Sequence, residues 1–105
     1  MVIQKDLPIK VSLNQWYAGI HWTKRKKIKD VYALVFKGNY TKPCDVDYDF
    51  TFKSRPLDCS NCMAMVKMIE DCLFPDDSNK VVKSIRITSN KGDKDTVKIS
   101  IYGHT

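Results

Sequence analysis

Residues Cys44–Lys53 constrain the fold of this chain most. Asp45, Asp47 and Asp49 alternate there with Val46, Tyr48 and Phe50. A period of two over this length predicts a strand with one apolar face and one acidic face or edge. The apolar side then needs a cover, and two further stretches can supply it.

The first is Leu57–Leu73. On a helical wheel Cys62, Met65, Val66, Ile69, Cys72 and Leu73 share one face. Ser60, Ala64, Lys67 and Asp71 fall on the opposite strip, and Asp58 is placed to cap the start. The second follows Thr23, expected as an N-cap. Ile28, Val31, Tyr32, Val35 and Phe36 form its buried stripe, and Gly38-Asn39 ends it. Val2–Ser12 reads as a strand with Pro8 at an edge or bulge. Residues 12–22, rich in aromatic and hydrogen-bonding groups, read as an ordered loop. Val81–Thr88 and Asp95–Tyr102 read as strands, with Asn90-Lys91-Gly92-Asp93 as a hairpin turn between them. The order strand, helix, strand, helix, strand, strand predicts an α+β domain. A small mixed sheet of about four strands carries two helices on one face. A chain of 105 residues suits one such domain, 1–105, with a modest core.

No run approaches the roughly 18 apolar residues of a membrane span. The first residues lack the apolar stretch of a signal peptide, so a cytoplasmic protein with reduced thiols is expected. Cys59-x-x-Cys62 lacks a second pair to complete a zinc site, so the four cysteines read as core residues. His21 has no nucleophile partner in the sequence.

Charge is uneven along the chain. Residues 1–42 hold nine Lys/Arg against two Asp, and residues 43–105 hold nine against ten acids. Lys24-Arg25-Lys26-Lys27, with Lys29, stand at the start of a helix, where the helix dipole favours negative charge. Bound phosphates would offset that repulsion, which points to a nucleic-acid partner, with a hydrated lysine-rich surface as the alternative. Lys67 and Asp71 are four apart, suited either to a surface ion pair or to a lysine facing a scissile phosphate. Asp58 and Asp76-Asp77 stand at opposite ends of their helix, about 25 Å apart at roughly 1.5 Å per residue.

Taken in order, Asp58-Cys59-Ser60-Asn61, Lys67-Met68-Ile69-Glu70-Asp71-Cys72-Leu73 and Asp76-Asp77 before Val81-Val82 resemble the motifs of the RusA family of phage-type Holliday-junction resolvases. Leu7-Pro8, Ser12-Leu13-Asn14 with Tyr17, and the basic helix start are also similar to that family. The resemblance implies a homodimeric Mg²⁺-dependent endodeoxyribonuclease of phage or prophage origin, with Mn²⁺ as a substitute. It would bind four-way DNA junctions during recombination and repair and cut them symmetrically. It also implies catalytic roles for Asp58, Lys67 and Asp77. Asp58 and Asp77 would be metal ligands, with Asp71 and Asp76 as further candidates. Asn14, Tyr17, His21, Lys24, Arg25, Lys26, Lys27 and Lys29 would face DNA. In a dimer, helix-end groups can converge across the interface.

The chain departs from the family in two places. Ser60 stands where the family has a second aspartate, leaving Asp71, Asp47 or Asp49 to supply that carboxylate. The interval from Asn61 to Lys67 is about one helical turn longer. The alternative expectation is a weakened or inactive relative that binds branched DNA or a host protein.

Overall fold

A computed structural model describes residues 1–19, 21–75 and 80–103. The chain runs β1 (Val2–Asp6), α1 (Leu13–Ala18), α2 (Trp22–Val35), β2 (Cys44–Phe52), a 3-10 turn (Cys59–Cys62), α3 (Met63–Leu73), β3 (Val82–Lys91) and β4 (Thr96–Gly103). The architecture is α+β: a four-stranded mixed sheet, ordered β1-β4-β2-β3, with helices packed against it.

The alternation in β2 plays out residue by residue. Cys44, Val46, Tyr48, Phe50 and Phe52 are buried, and the residues between them are half-buried. Those five pack with Met65, Val66 and Ile69 of α3 and with Ile28, Tyr32 and Phe36 from α2 and its end. The Phe50 and Phe52 rings stack at 6.0 Å. Burying this much aromatic surface makes β2 the natural centre of the sheet.

On the other face the three aspartates face polar partners. In register, Asp45, Asp47 and Asp49 lie beside Ser84, Arg86 and Thr88 of β3 and beside Tyr102, Ser100 and Lys98 of β4. Ser84 Oγ donates to Asp45 Oδ1 at 2.7 Å, and Thr88 Oγ1 donates to Asp49 Oδ1. Two of the three acids are thus fixed by hydroxyls across the β2–β3 pair.

The expected hairpin between the last two strands does not form. β3 runs parallel to β2, reached by the α3 crossover, whereas β4 runs antiparallel along the other side of β2. The segment after β3 therefore passes over the end of β2. The Gly92 N–H donates to Phe52 O at 2.9 Å, and Asp95 Oδ1 accepts the Lys53 N–H at 2.8 Å. A Cβ at Gly92 would stand 2.3 Å from Thr51 Cγ2, so glycine serves a close crossing here and not a hairpin turn.

Three other local expectations are revised. Val11 lies outside β1, which stops at Asp6. The expected loop after it contains α1, opened by a capping box. Ser12 Oγ accepts the Gln15 N–H and Gln15 Oε1 accepts the Ser12 N–H, each at 3.0 Å. α2 begins at Trp22, capped by His21 and not by Thr23, whose N–H donates to His21 Nδ1.

Candidate nucleic-acid interface and acidic turn

The stretch from Leu57 opens as a 3-10 turn, not as α-helix. The Asn61 and Cys62 N–H groups both donate to Asp58 O, at 2.9 and 3.2 Å. Regular α-helix starts only at Met63. The Asp58 side chain, expected as the cap, makes no capping hydrogen bond and is exposed. Its carboxylate is free of the commonest structural task for an acid in that position.

Three contacts hold this turn. Ser89 Oγ donates to Leu57 O, holding the approach to β3. Asn61 Oδ1 accepts the Asn14 N–H at 3.3 Å, tying the turn to α1. Asn14 therefore acts through its backbone here. Cys59 Sγ lies 3.4 Å from Ile87 O.

The four cysteines are free and do not behave alike. Cys44 and Cys62 are buried and Cys72 is half-buried, but Cys59 is exposed, against the expectation of a core residue. The Cys62 thiol is pushed up to about 12, first by burial and then by Cys59 and Asp58. Burial also raises Cys44 and Cys72, helped by Asp45 and Glu70 at Cys44 and by Asp71 at Cys72. These three are held as thiols at neutral pH, which suits packing and not nucleophilic chemistry.

On α3 the outer strip is narrower than expected. Lys67 and Asp71 are exposed and form no ion pair with each other. Ala64 is buried, on a helix that α1 packs against. Ser60 is exposed on the 3-10 turn. Asp76 and Asp77 lie outside the described residues. Among the described residues, no three His, Cys, Asp or Glu groups come together as a metal centre. Asp58 and Asp71 offer the hard oxygens that Mg²⁺ prefers, but they are not part of one assembled cluster.

The basic run divides into two kinds of residue. Arg25 turns inward: its Nη2 donates to Trp16 O, its guanidinium lies 5.2 Å from the Trp16 ring centre, and its Nε is buried. Lys29 Nζ also sits over that ring, at 5.9 Å. Trp16 is the anchor that joins α1 to α2, a role with no signature in the sequence. An Arg nine residues after a Trp carries no local periodicity to reveal it.

Lys24, Lys26 and Lys27 stay exposed. Lys26 pairs with Asp30 at 3.1 Å, both side chains well solvated, a contact worth a few tenths of a kcal/mol. Tyr17 on α1 is 65% exposed, and Trp22, which opens α2, is 69% exposed. The Trp22 ring lies 5.8 Å from His21, whose Nδ1 is engaged by Thr23. The start of α2 thus presents lysine ammonium groups and the open Trp22 ring, and α1, fastened to α2 by Arg25, is tied through Asn14 to the turn bearing Asp58. Among the described residues no helix is long and apolar enough to cross a membrane. No protein-family model, no curated protein and no solved structure matches the chain.

Proposed function

We propose that the protein is a Mg²⁺-dependent, structure-selective endodeoxyribonuclease that acts on four-way or related branched DNA as a homodimer. The observation that supports the reading is the contact between Asn14 and Asn61, which ties the turn bearing the uncapped Asp58 carboxylate to α1, the helix that Arg25 fastens to the basic start of α2. DNA held by Lys24, Lys26 and Lys27 would run past Asp58. Asp58, with Asp77 and either Asp71 or Asp76, would hold the metal, whose chemistry is to activate water and stabilise the leaving oxygen. Lys67, exposed on α3, would face the charge that develops on the phosphate.

A synthetic four-way junction incubated with the protein and Mg²⁺ or Mn²⁺ tests this. Paired symmetric nicks are expected. Asp58→Asn and Asp77→Asn should each reduce cutting by at least about 100-fold while leaving junction binding intact. Replacing Lys24 and Lys27 by alanine should weaken binding and flatten its salt dependence by about 0.9 in log–log slope for each phosphate no longer neutralised. Absence of cutting with both metals, at protein excess and low salt, overturns the enzymatic reading. Ser60 supports a second reading, a junction-binding relative without activity, because it brings no carboxylate to its turn. That protein would retard a labelled junction in a gel and leave it intact.

A further inference from the structure

A cavity of about 380 Å³ opens between the link from β1 to α1 and the first turns of α2. Ile9, Val11 and Ile28 give it apolar walls, and Lys10, Lys24 and Gln15 stand around them. Sites that bury small ligands run from roughly 300 to 1,000 Å³, so this one is sized for a single flat ring system. Its polar groups are unequal. Lys10 Nζ is committed to Arg55 O at 2.5 Å and lies 5.0 Å from the Phe52 ring. Gln15 Oε1 is taken by the Ser12 N–H, which leaves the Gln15 NH₂ to donate. Lys24 is exposed and belongs both to the cavity lining and to the basic run.

We propose that this cavity receives one unpaired nucleobase of bound DNA, with Lys24 on its phosphate and the Gln15 amide on an acceptor of the base. Apolar walls suit the faces of a base, and an ammonium beside them suits the charge attached to it. The exposed Trp22 and Tyr17 rings offer stacking surfaces to neighbouring bases. A blunt duplex keeps its bases stacked inside and cannot use the cavity. Unpaired bases at a branch point can, so the selectivity is for unpaired nucleotides. The inference rests on the DNA-binding reading above.

The test uses the full chain with a short thymidine oligonucleotide carrying one central 2-aminopurine, and with a blunt duplex of equal length. The single strand is expected to bind about tenfold more tightly, with a severalfold rise in 2-aminopurine emission as the base leaves its stacked neighbours. Ile9→Asn, at a position 37% exposed and therefore safe for folding, should abolish the emission rise and most of the single-strand preference. Lys24→Ala should weaken binding of both DNAs and keep the rise in whatever single strand remains bound. If both DNAs bind with no emission change, the cavity assignment is overturned and the DNA-binding reading stands. A rise that persists unchanged in Ile9→Asn overturns it as well, since the base would then lie elsewhere. If neither DNA binds at low salt, the DNA-binding reading falls and takes the cavity assignment with it.

Discussion

α2 and α3 both lean on the same sheet, yet they are built on opposite principles. α3 has 11 residues, and Ala64, Met65, Val66, Met68, Ile69 and Leu73 are buried. α2 has 14, and only Ile28 and Tyr32 are buried within it. α2 leaves Leu34 at 84% exposure and Trp22 at 69%. One helix closes the core; the other is pinned at a few points and offers the rest of its surface to solvent. The difference teaches where this small domain can carry chemistry. A helix that supplies most of the core has little surface left to specialise, and α3 keeps only Lys67 and Asp71 among its clearly exposed side chains. A helix held by Tyr32, Ile28 and the Trp16–Arg25 contact can carry Lys24, Lys26, Lys27 and Lys29 within its first eight residues at little cost to packing.

The comparison breaks most visibly at the core. Ile69→Ala should cost about 3 kcal/mol and lower Tm by roughly 10–20 °C, because a fully buried side chain leaves a void between α3 and the sheet. Chemical denaturation would show it as a lower midpoint with unchanged slope. A loss under about 1 kcal/mol would mean that α3 is no more essential to the core than α2.

Two buried tyrosines sharpen the contrast at smaller scale. The Tyr32 hydroxyl on α2 donates to Ile9 O at 2.5 Å. The Tyr48 hydroxyl on β2, in the layer α3 covers, is buried and has no hydrogen-bond partner among the described residues. Tyr32→Phe should therefore destabilise by about 1 kcal/mol, and Tyr48→Phe should stabilise by a similar amount. Equal signs for the two changes would contradict the hydrogen-bond assignment. At the weak end, Leu34→Gln should shift stability by no more than about 0.5 kcal/mol, since nothing in the described structure covers that side chain. A larger loss would show that the outer face of α2 is covered in solution, as in an assembled dimer.

Much of the scaffold was legible because periodicity is local. The alternation in β2 and the stripe Cys62, Met65, Val66, Ile69, Cys72 and Leu73 can each be read within a dozen residues, and the stripe is buried except at Cys72, which is half-buried. α1 was legible in principle. The spacing of Ser12 and Gln15 is a capping-box signature, hidden by the absence of an apolar period over so short a helix. The partner of β4 was not legible. Whether Gly92 turns a hairpin or lets one segment cross another depends on β2, some forty residues earlier. The site was legible only as residue types. Nothing near Asp58 in sequence signals that its carboxylate leaves the capping role, or that Asn14 reaches across to Asn61.

The position of β4 has a consequence for how the chain reaches this structure. β4 pairs with both β1 and β2, and it is the last strand in the described chain. During synthesis, residues 2–6 and 44–52 have no common partner until residues 96–103 leave the ribosome. The parallel β2–β3 pair can form earlier, but the sheet cannot close by zipping neighbouring segments. Such non-local pairing slows folding relative to helical domains of the same size. Until β4 arrives, the long edge of β2, with Tyr48 and Phe50 on it, is open to other chains. Over-expression at lowered temperature, which slows that encounter, should favour recovery of the folded protein.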